Sequence, residues 1–120
     1  MPLHGAMLFV KDLPRMTAFY RDALGLRPIE ETRLPDWVEF HGVAQFSLHA
    51  IPAAIAAGLS IDSPPPVRDD GGTKLTFDVA DVEGTLASIE AMGLPLLHRP
   101  WGRVDAVDPE GNVFALIRTP

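Results

Sequence analysis

The chain repeats itself. Val10-Lys11-Asp12-Leu13 leads into a helix-patterned run ending at Leu24-Gly25-Leu26, and Val79-Ala80-Asp81-Val82 leads into a second run ending at Met92-Gly93-Leu94. Asp81 follows Asp12 at nearly the interval by which Gly93 follows Gly25. Two copies of a strand-helix unit in 120 residues leave little room for anything else, so the repeat sets the fold. Corresponding positions in the two copies are then expected to converge on one shared site.

Local patterning extends each copy. Leu3 to Val10 alternates as a strand, with Ala6, Leu8 and Val10 on one face and Gly5, Met7 and Phe9 on the other. Asp12 is placed to cap a helix, Pro14 stands in its first turn, where a missing N–H is tolerated, and Gly25 supplies a left-handed stop. Met16, Phe19, Tyr20 and Leu24 form its apolar stripe. Three strands are predicted next: Pro28 to Arg33, Trp37 to His41, and Val43 to Ile51, with turns at Pro35-Asp36 and Gly42. Ala53 to Ala57 predicts a helical turn ended by Gly58.

Residues 61–72, with three consecutive prolines and then Gly71-Gly72, read as a linker between modules 1–60 and 73–120 of a single domain. The second module opens with a strand over Thr73 to Val79 and a helix capped by Asp81, with Val82, Leu86, Ile89 and Met92 as its apolar face. Strands over Leu94 to His98, Arg103 to Val107 and Asn112 to Arg118 follow. Asp108-Pro109-Glu110-Gly111-Asn112 is a turn with glycine where positive φ is expected. Each module is thus βαβββ.

Composition narrows the function classes. A net charge of −6 without a lysine or arginine cluster argues against a nucleic-acid partner. The absence of cysteine removes disulfides, thiolate metal sites and a cysteine nucleophile. No signal peptide pattern or membrane-length apolar run is present, so a cytoplasmic protein without membrane contact is expected.

Phe9-Val10-Lys11-Asp12-Leu13 with Phe19-Tyr20 and Leu24-Gly25-Leu26, and the closing Trp101-Gly102 with Asp108-Pro109-Glu110-Gly111-Asn112, resemble the glyoxalase / bleomycin-resistance / extradiol-dioxygenase superfamily, the vicinal oxygen chelate proteins. The resemblance covers nearly the whole chain. It implies an α+β fold in which two βαβββ modules form an open, barrel-like mixed sheet around a cavity, with helices on the outer face, in a homodimer. It also implies a divalent metal held by His and Glu side chains from the first and last strands of each module. Such an ion acts as a Lewis acid on substrates with two neighbouring oxygens.

The residues present depart from that ligand set. The first-strand positions fall on Gly5 and Lys74, and the last-strand positions on Ser47 and Ala115. Glycine and alanine carry no donor, lysine binds metal only as the neutral amine, and serine is a poor ligand alone. His4 is one residue from the expected place, but strand parity turns it to the opposite face. His41 and His98 lie near strand ends. A nonstandard site using His49 with Asp78 or Glu39 stays open. No metal or other cofactor is therefore expected; a divalent metal enters only under the alternative of a lyase, isomerase or dioxygenase with a shifted site.

Parity predicts the lining of the cavity. Met7, Phe9, Val113 and Ile117 are apolar members, Gln45, Ser47, His49, Lys74, Thr76 and Asp78 are polar ones, and Ala115 lies among them. So many polar groups facing a dry core would be costly, which favours a wet or ligand-filled face. Lys74 is read first as an ion pair with Asp78 and second as an anchor for an anionic ligand. His49 is a candidate general base, and His49 with Lys74 are the candidate catalytic residues of a metal-independent enzyme. Trp37, Phe40 and Trp101 are candidate flat surfaces for a planar ligand, and Arg33 and Arg103 candidate rim residues. The preferred expectation is a metal-free binder of a small, anionic or planar molecule.

Overall fold

Asp12 and Asp81 begin the two helices by the same device. The Asp12 carboxylate accepts a hydrogen bond from the Arg15 N–H at 3.0 Å, and Asp81 accepts from the Gly84 N–H at 2.9 Å. Each thereby satisfies one of the orphan donors of a first turn, worth about 1 kcal/mol. The helices run over Leu13–Leu24 (α1) and Val82–Ala91 (α3), separated in sequence by a single turn of helix at Ala53–Ala56 (α2). Gly25, at φ 71°, stops α1 in the left-handed region, and Gly93, at φ 83°, follows α3 in the same way.

The computed structural model describes all 120 residues and divides them into two units, Met1–Ser60 and Ile61–Pro120. In the first, strands Gly5–Val10 (β1), Trp37–Phe40 (β2) and Gln45–Ala50 (β3) form a mixed sheet in the order β1-β3-β2. β1 runs parallel to β3, and β2 antiparallel to it. In the second unit, Leu75–Asp78 (β4), Leu96–His98 (β5), Val104–Val107 (β6) and Val113–Ile117 (β7) form a mixed sheet in the order β4-β7-β6-β5. β4 is parallel to β7, and the other pairs are antiparallel. The fold is α+β, with two βαβββ-like modules and mixed sheets, as the repeat implies.

One predicted strand is missing. Pro28 to Arg33 contributes only an isolated bridge, Pro28 to Phe40, and then winds into a 3₁₀ turn over Glu30–Thr32. Glu30, Glu31, Thr32 and Arg33 are all polar and exposed, so the segment has no apolar alternation with which to hold a sheet face. The Ile29 and His41 N–H groups still bond the Glu39 and Arg27 carbonyls, which keeps the segment beside β2.

In the first unit, α1 covers one sheet face. Tyr20 packs edge-on against Phe46 at 5.0 Å between ring centroids, and Phe40 stacks on Phe46 at 5.6 Å. Met16, Val10, Val38 and Leu48 are fully buried beside them. Full burial of an aromatic or aliphatic side chain contributes about 1.5–3 kcal/mol, and each aromatic pair about 0.5–1.5 kcal/mol more. Phe40 therefore belongs to the core, which corrects the expectation that it offers a flat surface. Its neighbour Glu39 has the opposite parity and faces away from α1.

In the second unit, Phe77 and Phe114 meet edge-on at 5.7 Å, and Ile89 is the buried side chain of α3. The closing turn is built on Asp108. Its Oδ1 accepts from the Glu110 and Asn112 N–H groups, and its Oδ2 from the Asn112 side-chain amide at 2.8 Å. Gly111, at φ 90°, has no room for a Cβ, which would meet the Pro66 carbonyl. No helix is long and apolar enough to cross a membrane.

Candidate functional site

The sheet face of the first unit turned away from α1 gathers Met7, Phe9, Gln45, Ser47 and His49 from the residues that parity selects. Register sets Gly5 beside Gln45, Met7 beside Ser47 and Phe9 beside His49 across β1 and β3. Trp37 lies opposite His49, and Glu39 opposite Ser47, across β2 and β3. Directly paired residues share a face. Met7 and Phe9 remain 46% and 59% exposed there, so this face carries large apolar side chains without a protein cover in the unit. Ser47 is buried.

His49 is held by two groups. One is the Ala50 carbonyl, 2.8 Å from Nδ1; a carbonyl only accepts, so Nδ1 carries the proton in the neutral ring and Nε2 is the basic nitrogen. The other is Asp36, whose Oδ2 stands 3.8 Å from Nε2, beyond hydrogen-bond distance. The Phe9 ring lies against the imidazole at 5.5 Å. The role of Asp36 was hidden in the sequence because it sits in a turn; its only advance signal was the hairpin that folds it back toward β3.

The second unit resolves Lys74 differently from the sequence reading. Its ammonium pairs with Asp105 at 3.1 Å, not with Asp78. Asp78 instead accepts hydrogen bonds from the backbone and hydroxyl of Thr119. The Asp105 carboxylate, 3% exposed, also receives Arg99 Nε at 2.9 Å, and Arg99 forks onto both oxygens of Asp69 at 2.7 and 2.8 Å. These bonds raise the Arg99 pKa above its ordinary value and hold the Asp69 carboxyl below the usual carboxylate range. Trp101, 68% exposed, lies over the Arg99 guanidinium at 5.9 Å.

The register explains the reach of Lys74. Ala106 pairs with Phe114, so the next step along the antiparallel ladder sets Asp105 opposite Ala115. Thr76 also pairs with Ala115 on the other side. A small side chain at 115 leaves space for Lys74, immediately before β4, to cross β7 to a carboxylate on β6. Thr76 and Asp78 share this face and are exposed, while Ala115 is buried.

The four positions at which the resemblance places metal ligands do not fit an ion. Gly5 and Ala115 offer no donor, and Lys74 and Arg99 already occupy the carboxylate nearest to Ala115. Gly5 is also closed sterically. A Cβ there would fall 2.8 Å from the Gln45 Cβ and closer still to the Gln45 carbonyl oxygen. No group of three or more His, Asp or Glu side chains lies close enough together to hold a metal ion.

The comparisons agree with this architecture. The profile of the glyoxalase/bleomycin resistance protein/dioxygenase superfamily matches residues 3–116. No curated protein matches the sequence. Among solved structures, a protein of unknown function from Agrobacterium tumefaciens is 26% identical, with a TM-score of 0.67 and 100% and 95% of the two chains covered. A glyoxalase/bleomycin resistance protein/dioxygenase family enzyme from Burkholderia phytofirmans is 24% identical, with a TM-score of 0.68 and 97% of each chain covered. A glyoxalase/dioxygenase from Nostoc punctiforme reaches a TM-score of 0.72 at 21% identity, over 99% of this chain and 91% of that one. With the family profile spanning almost its full length, the chain belongs to the glyoxalase/bleomycin resistance protein/dioxygenase superfamily.

Proposed function

We propose that this protein binds a small organic molecule without the divalent metal that the superfamily's metal-dependent members use. One observation carries the reading: Gly5, Ser47, Lys74 and Ala115 stand at the four ligand positions, with position 5 closed to any side chain and Lys74 committed to Asp105. A Lewis-acid site needs several anionic or imidazole donors converging on one point, and this donor set does not supply them. The exposed Met7 and Phe9, with His49 and Trp37 on the same sheet face, support a planar or apolar ligand body.

The pairing of Lys74 with Asp105 favours binding over metal-independent catalysis, because the ammonium is already neutralised. It also removes the free cation on which an anionic ligand would depend. Support for a homodimer comes from β1 and β4, each of which forms the outer strand of its own sheet.

The test is a thermal-shift survey of small molecules of each charge class, with and without EDTA. A ligand at about 100 times its Kd adds about 2.7 kcal/mol of stability. The reading predicts stabilisation that EDTA leaves unchanged. Stabilisation that disappears with EDTA and returns with manganese, iron, nickel or zinc would contradict it.

A further inference from the structure

The face of the first sheet turned away from α1 ends in a groove of about 290 Å³, whose lining includes His4, Ile29, Glu39, His41, Val43 and Gln45. Glu39 is the sole formally charged acid or base in that lining besides the two imidazoles; no lysine or arginine takes part. It is 8% exposed, yet its partners are two neutral donors. The Thr32 hydroxyl donates to Oε1 at 3.0 Å, and the Gln45 side-chain amide donates to Oε2. Each carboxylate oxygen retains the capacity to accept a further hydrogen bond.

A carboxylate taken out of water ordinarily has a cation beside it, as Asp105 has Lys74 and Arg99 in the second unit. Glu39 makes no ion pair with any side chain of the protein, and the space beside it is open. The 3₁₀ turn that replaces the expected strand is what orients it, because that turn carries Thr32. Ile29 and Val43 add apolar surface to the same groove.

We propose that this groove takes a small organic cation, an amine with a hydrocarbon body, and that Glu39 is its counter-ion. This rests on the reading of the chain as a small-molecule binder and names the charge of the ligand. The ammonium donates to the free acceptor positions of Glu39, and the hydrocarbon part lies on Ile29 and Val43. An anion is rejected because it would meet a buried carboxylate with no intervening positive charge.

Isothermal titration calorimetry of the full chain with phenethylamine, phenethyl alcohol and hydrocinnamate separates charge from shape. Phenethylamine is expected to saturate, at least about tenfold tighter than the alcohol, with hydrocinnamate the weakest. Glu39→Gln is expected to lose about tenfold in amine affinity. In the unaltered protein the amine should also shift the NMR signals of the Gln45 side-chain amide, a readout that survives if the variant folds poorly. The proposal is overturned if Glu39→Gln binds the amine within about twofold of the parent, if the alcohol binds equally well, or if the Gln45 amide stays unmoved at saturation. No saturable amine binding up to about 10 mM would overturn it as well. A neutral or anionic compound that stabilises both the parent and Glu39→Gln would overturn the cation assignment while keeping the small-molecule reading. Failure of every charge class would remove both.

Discussion

Replacing Gly5 by alanine tests whether the family's first ligand position is closed or merely vacant. The Gly5 backbone lies beside Gln45 in the parallel β1–β3 pair, and the adjoining bond runs from the Gln45 N–H to the His4 carbonyl at 3.0 Å. An added Cβ would come 2.8 Å from the Gln45 Cβ and closer to its carbonyl oxygen. Neither is the far end of a flexible side chain, so relief requires the strands to part. Overpacking of this kind costs about 1–3 kcal/mol, and loss of one ladder hydrogen bond about 1 kcal/mol. The lower chain entropy of alanine in the unfolded state returns about 0.4–1 kcal/mol. The net expectation is a loss of about 2 kcal/mol, which lowers Tm by about 8 °C for a chain of this size. Urea unfolding followed by Trp37 fluorescence in a Trp101→Phe background reads the first unit, since the chain has two tryptophans. Equal or greater stability of Gly5→Ala would refute the steric argument. Gly5→His should be at least as destabilised and should gain no affinity for zinc or manganese.

The ion cluster of the second unit gives two further expectations. Asp105→Asn leaves Lys74 free to turn to water and Arg99 with Asp69, so it should cost about 2 kcal/mol, below the usual penalty for breaking a buried pair; an unchanged urea midpoint would show that the cluster contributes nothing. Asp69 titrates below its unfolded value because of its hydrogen bonds to Arg99. Its contribution is therefore complete above the unfolded carboxylate pKa, about 3.9, and is lost as pH falls through the lower folded value. Asp69→Asn should flatten the decline in stability between about pH 5 and pH 2, as followed by circular dichroism, and a profile parallel to that of the parent would contradict this linkage.

Local signals made the two modules legible. Asp12, Asp81, Gly25 and Gly111 each perform a task that depends on near neighbours: capping, stopping or turning. Alternation along β1 likewise separates Met7 and Phe9 from Leu8 and Val10 without knowledge of the partner strand. Errors arose where the outcome depends on contacts distant in sequence. Lys74 has Asp78 close by on its own strand, but the small Ala115 opens a path to Asp105 on a strand two places away. Pro28 to Arg33 lies between elements that pair well and has composition too polar to compete for a sheet position. Asp69, Asp36 and Arg99 carried no pattern because their roles arise only after loops fold back. Glu39 entered the sequence reading only as a possible companion of His49 in a shifted metal site, and its hydrogen bond from Thr32 depends on a 3₁₀ turn that the strand assignment concealed.

This member of the superfamily is expected to bind its ligand without the family metal. Elemental mass spectrometry of untagged protein, exposed to manganese, iron, nickel and zinc and then desalted, tests it most directly. Near-zero metal per chain is the expected result. Close to one tightly held ion per chain would contradict it, and would make His4 and His49 the first side chains to replace.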